Sequence, residues 1–170
     1  MKALGLVCRV RMKKYHSYKG EVGKISPNPL KWNFEAEKTN QKWVTDVTAF
    51  SLFGQKRYLS PVLDLCSRDV ASYSISDGPV LSMVTQMLDQ ALARIPNGTT
   101  LILHSDQVWQ YQHKKYQRML RTKGIRQSMS RKGNCPDNAV IKNSFGLRKR
   151  KLLYLQGFES LEHFKRERID

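Results

Sequence analysis

The spacing of hydrophobic and polar positions changes several times along the chain. Leu101, Ile102 and Leu103 form an apolar run that leads, without alternation, into His104, Ser105, Asp106 and Gln107. A strand buried on both faces reads this way, and in open α/β sheets ligands gather at the carboxyl ends of such strands. Asp106 is therefore a candidate ligand residue, although a cap or turn after a strand would also use an aspartate. A second acid lies inside the β-branched and aromatic run Trp43-Val44-Thr45-Asp46-Val47-Thr48. Aspartate is depleted in strands, so Asp46 needs a reason: an edge position, a hydrogen bond to Thr48, or a function. Two strand-borne acids are the minimum for holding a divalent metal through hard oxygen ligands.

The same pattern predicts the remaining elements. Residues 41–52 read as the first strand and Tyr58 to Leu65 as the second, a hairpin turned at Phe53 to Lys56 with Gly54. Pro61 cannot donate to a ladder, which predicts a bulge or local break. Asp69 to Ser76 is a third strand, joined through Ser67 and Arg68. Asp64 is either a further metal ligand or a structural acid paired with Arg68. Pro79 opens a helix whose Val80, Met83, Val84, Met87, Leu88, Ala91 and Leu92 recur at helical spacing as core packing. Pro96, Asn97 and Gly98 end it. A fourth strand over 100–105, a helix from Lys114 to Lys123 closed by Gly124, and a fifth strand from Ile125 to Met129 follow. Beyond the basic loop Ser130 to Pro136, Asp137 caps a helix running through about Leu153. Ser160 to Asp170 begins an amphipathic helix with no closing cap. This is the order of an α/β, ribonuclease H-like mixed five-stranded sheet: three meandering antiparallel strands, then alternating helices and strands, flanked by helices. In that order the first and fourth strands are neighbours, which brings Asp46 and Asp106 together.

Charge narrows the partner. The 170 residues carry a formal net charge of +16 and a pI near 10.0. Such a balance implies a polyanion, foremost nucleic acid. No segment approaches the ~20 apolar residues of a membrane span, and no apolar core with a cleavage site follows the basic N-terminus. Cys8, Cys66 and Cys135 are widely spaced and never form a Cys-x-x-Cys pair, which argues against zinc and a disulfide framework and fits a reducing cytoplasm. Residues 1–32 hold eight Lys or Arg against one acid, Glu21. They read as an extended basic arm on a phosphate backbone or a solvated tail. Candidate DNA contacts are Lys13, Lys14, Lys19, Lys24, Arg131, Lys132 and the run Arg148, Lys149, Arg150, Lys151.

Several motifs carry a resemblance. Tyr18-Lys19-Gly20-Glu21-Val22-Gly23-Lys24, Lys42 to Thr48, Tyr58 to Leu65, His104-Ser105-Asp106-Gln107 with Trp109-Gln110-Tyr111-Gln112, and Ser128 to Cys135 with Asp137-Asn138-Ala139 are similar to insertion-sequence transposases. The likeness is to the second-frame protein of the frameshifting kind, in the retroviral-integrase superfamily, and it covers nearly the whole chain. It implies an Asp, Asp, Glu triad with Mg²⁺ or Mn²⁺, which cleaves DNA at the element's ends and joins the 3′-hydroxyl to target DNA. It also implies homo-oligomers with other transposase protomers, and location in a bacterial-type cytoplasm, on the nucleoid when DNA is bound. Residues 1–38 are then the arm following a helix-turn-helix region, 39–158 the catalytic core, and 159–170 the start of a truncated C-terminal helix.

Asp46 matches the first acid and Asp106 the second. The third belongs after thirty-five intervening residues, where this chain has Lys142. Val108 likewise stands where the family has Gly. Two-metal phosphoryl transfer needs ions about 3.5–4 Å apart clamping attacking and leaving oxygens. A charged ammonium has no lone pair to offer. Facing another positive charge ~4 Å away it repels by roughly 4 kcal/mol at an effective dielectric of 20. One metal site is therefore expected to be lost or weakened. Three functions follow: a transposase core, a DNA-binding remnant or inhibitor without catalysis, or an unrelated RNA-binding protein favoured only by charge.

Overall fold

The structure is a computed structural model that describes residues 23–130 apart from Trp32 and Phe53. Its strands are β1 (Lys42–Thr45), β2 (Thr48–Leu52), β3 (Gln55–Asp64), β4 (Val70–Ser76), β5 (Ile102–Ser105) and β6 (Arg126–Met129). Its helices are α1 (Leu81–Leu92), α2 (Trp109–Gln112) and α3 (Lys114–Lys123). Sheet order is β2-β3-β1-β5-β6, with β4 on β3. β3 runs antiparallel to β1, β2 and β4, whereas β1, β5 and β6 run parallel. That is the predicted meander followed by parallel crossovers, with β1 beside β5.

The single strand expected over 41–52 is two strands. Asp46 and Val47 fall outside the ladder, although β1 and β2 share one register on β3: Thr45 faces Val62 and Thr48 faces Leu59. Asp46 therefore stands across from Pro61, which has no N–H to give. The irregularity expected at Pro61 appears in its partner strand. A second one, a register shift between Val62 and Leu63, lies toward β4. The hairpin turns through Gly54 at φ 73.

Both faces of the sheet are covered, as non-alternating strands require. Trp43 and Leu103 pack with the α1 stripe of Met83, Val84, Met87, Leu88, Ala91 and Leu92, together with Tyr111, Tyr116 and Leu120. The neighbouring Val44 turns the other way, to Leu63 and Leu65, under Phe34, Ala36 and Val70. Helix α1 begins at Leu81 rather than Pro79. Val80 is extended at φ −89 and ψ 156, and the Pro79 carbonyl accepts a hydrogen bond from Gln110 Nε2 at 2.8 Å, which holds that segment out of helix. Helix α3 has its predicted bounds, and Gly124 closes it at φ 77.

Residues 23–30, the last stretch of the basic arm before the core, run along β6. Met129 N–H donates to the Pro27 carbonyl, Ser26 Oγ to Gln127 Oε1 at 2.9 Å, and Leu30 is buried. Gly23 lies so close to helix α2 that a Cβ there would sit 2.1 Å from the Gln112 carbonyl oxygen.

Candidate active site

Parallel pairing of β1 with β5 sets Lys42 against Ile102, Trp43 against Leu103 and Val44 against His104. Continuing that register by two residues places Asp46 level with Asp106. Each is the first residue beyond its strand, at the carboxyl end, and each is half-buried. Two acids from distant parts of the chain thus share one end of the sheet.

A buried phenol lies beneath them. Tyr111 of α2 is fully buried, and its hydroxyl is 3.2 Å from Thr45 Oγ1, the residue just before Asp46. Burial pushes the Tyr111 phenol well above its ordinary range, and the Tyr116, Asp46 and Asp106 charges push the same way, against the Thr45 hydrogen bond. Both carboxylates therefore act on this one hydroxyl, which stays protonated. Tyr116 stacks edge-on against Tyr111, with ring centroids 5.3 Å apart.

The loop after β5 is fixed from several sides. Asp106 Oδ1 accepts from Val108 N–H at 3.0 Å, so the acid does serve a turn, with one of its two oxygens. Gln107 Nε2 donates to the Ser130 carbonyl at 2.8 Å. Ser130 N–H donates to the Ser105 carbonyl at 2.9 Å. Behind the site, buried His104 meets Ser128 Oγ through Nδ1 at 2.8 Å, and Ser128 donates its proton to Asn28 Oδ1 at 3.2 Å. Nδ1 of His104 consequently carries the proton in that chain.

Asp64 is a structural acid, but Arg68 is not its partner. Its carboxylate accepts from Asn40 N–H at 2.6 Å, Trp43 Nε1 at 3.0 Å, Cys66 N–H at 2.8 Å and Ser67 N–H at 3.1 Å. Backbone donors surround a strand end more readily than a long side chain can fold back on it.

Of the other candidates, Lys24 is exposed, and its carbonyl accepts from Gln117 Nε2 at 2.6 Å. Lys13, Lys14, Lys19, Arg131, Lys132, Lys142, Arg148, Lys149, Arg150 and Lys151 lie outside the described residues, as do the expected helices after Asp137 and Ser160. Among the described residues no group of three or more His, Cys, Asp or Glu could hold a metal ion, so the site there rests on two acids. No described helix is long and apolar enough to cross a membrane. Thr45 and Tyr111 were not singled out by sequence as parts of the site. The only sequence signal for Tyr111 was its place five residues after Asp106, in a helix too short to show a period.

A mixed sheet in this order, with acids at the ends of its paired central strands, defines the ribonuclease H-like integrase core. Two solved structures have the same fold. The simian T-cell lymphotropic virus intasome, in complex with a PP2A regulatory subunit, superposes with a TM-score of 0.64 at 17% identity over 93% of this chain and 54% of that one. The HTLV-2 integrase catalytic core domain in complex with magnesium superposes with a TM-score of 0.60 at 19% identity, over 78% of this chain and 86% of that one. The integrase core domain family matches residues 36–135. In Escherichia coli K12, a protein assigned as transposase InsK of insertion sequence IS150 is 49% identical over 97% of this chain. A transposase-like protein of Haemophilus influenzae is 44% identical over 98%. The chain belongs to the integrase core family, as an insertion-sequence transposase of the second-frame type. It spans 58% of the Escherichia coli relative's length and 76% of the Haemophilus relative's.

Proposed function

We propose that this chain binds DNA as a transposase core whose cleavage and strand transfer are impaired, because Lys142 occupies the position of the third acid. One observation carries the reading: Asp46 and Asp106 stand level at the ends of neighbouring parallel strands, both acting on Tyr111, in a chain that has lysine at position 142. The donor set suits a hard divalent cation, since carboxylates supply oxygen ligands. Asp46 and Asp106 would hold Mg²⁺ or Mn²⁺. When bound, such an ion polarises a phosphoryl oxygen and favours the deprotonated nucleophile. Thr45 and Tyr111 hold the floor of the site from below, and the Val108 N–H fixes one Asp106 oxygen. The surplus of Lys and Arg supplies phosphate contacts. A complete site would need further protomers and lie on the nucleoid in a bacterial cytoplasm.

A second reading is a DNA-binding inhibitor of transposition, favoured by the same lysine, which would face scissile phosphate rather than metal. A strand-transfer assay in Mg²⁺ and in Mn²⁺ separates the two. Lys142→Glu should raise joining by about tenfold to a hundredfold, the range a metal-site residue commands, and adding Asp46→Asn should abolish the gain. Equal joining by the unchanged chain would refute the impairment.

A further inference from the structure

Asp46 sits in the gap of the ladder on β3, and the residue across from it is a proline. The direction of the missing bond can be worked out from its neighbours. Leu65 gives its N–H to the Lys42 carbonyl at 3.0 Å, on the β1 side, whereas Asp64 gives its own to Asp69, on the β4 side. Sides alternate along an antiparallel strand, so positions 63 and 61 turn toward β1, as Leu65 does. On β1, Gln41 turns its carbonyl to Ile102 of β5 while Lys42 turns to β3; by the same alternation Val44 and Asp46 turn to β3. Position 61 is therefore where the ladder requires an N–H aimed at the Asp46 carbonyl, and proline has none. Pro61 is buried in an interior strand, where proline is rare.

Side-chain alternation makes the gap consequential. Thr45 reaches Tyr111 on the helix-covered face, and Val44 packs on the other. An unbroken strand would send Asp46 with Val44, away from Tyr111. Breaks in a ladder re-aim side chains next to active sites.

We infer that Pro61 is a positioning residue: by withholding one ladder bond it releases Asp46 from the pleat, so that its carboxylate faces Asp106. The inference rests on reading those two acids as a metal-holding pair. The test uses the full chain with Pro61→Ala, which restores an N–H, and with Pro61 replaced by N-methylalanine, which does not. Amide hydrogen exchange reads the ladder, and Mn²⁺ titration by water-proton relaxation reads the site. In Pro61→Ala the amide at position 61 should be protected like its ladder neighbours and Mn²⁺ should bind about tenfold more weakly, the low end for a disturbed ligand support. The N-methylalanine chain should bind Mn²⁺ as the unchanged chain does. The inference is overturned by a position-61 amide that exchanges like an open loop, by unchanged Mn²⁺ affinity in Pro61→Ala, or by equal weakening in both variants, which would assign the effect to ring packing. If the unchanged chain shows no Mn²⁺ binding that depends on Asp46, the metal reading itself fails. Amide exchange then decides alone whether Pro61 opens the strand.

Discussion

Three aspartates attend β1, one at its amino end and two at its carboxyl side, and their surroundings differ. Asp64, paired across from Trp43, is 4% exposed and takes four N–H donors from Asn40, Trp43, Cys66 and Ser67. Its charge is used up in holding the β3–β4 connection and the entry to β1. Asp46 and Asp106 are half-buried, stand level with each other, and lie over a phenol that both of them influence. Two like charges side by side do nothing for stability; they suit a cation. The contrast shows that a strand-borne acid is structural when backbone donors saturate it and functional when it is set beside another acid.

The largest test of that contrast is truncation at each end. Asp64→Ala strands buried donors and should cost about 3 kcal/mol, read from urea unfolding. Asp46→Asn and Asp106→Asn should stay within about 1 kcal/mol of the unchanged chain, or stabilise it, as residues kept for function rather than folding do. Equal losses at both ends would erase the distinction.

Alkaline pH gives the next largest effect. Burial raises both Tyr111 and Tyr116 above the ordinary phenol value of 10.0. Above that pH the unfolded chain sheds protons that the folded chain keeps, so stability falls as pH rises, by about 1.4 kcal/mol per pH unit for each tyrosine. Below it the contribution is fully present. In Asp46→Asn or Asp106→Asn, ultraviolet titration should find Tyr111 ionising at lower pH and Tyr116 little changed.

Smaller still is the comparison of the two phenols. Tyr111→Phe loses the Thr45 hydrogen bond and should cost about 1 kcal/mol. The Tyr116 hydroxyl is buried with no hydrogen-bond partner among the described residues, so Tyr116→Phe should be neutral or slightly stabilising. A larger loss for Tyr116→Phe would contradict this arrangement.

Local signals in the sequence carried much of the fold. The apolar stripe of α1 and the bounds of α3, closed by Gly124, could be read because helix periodicity and a left-handed cap are local. The adjacency of β1 and β5 followed from element order. What stayed hidden was cross-strand. The break at Asp46 depends on Pro61, fifteen residues away in sequence. The donors to Asp64 come from two turns and an indole. The role of Tyr111 depends on Thr45, in a different strand. Pairing of that kind leaves no periodic trace.

The central claim is a site of two acids with a lysine where a third belongs, and counting bound Mn²⁺ by electron paramagnetic resonance tests it most directly. The account predicts a single weakly held ion per unchanged chain, lost in Asp46→Asn, and a second ion gained in Lys142→Glu. Two tightly held ions in the unchanged chain would contradict it.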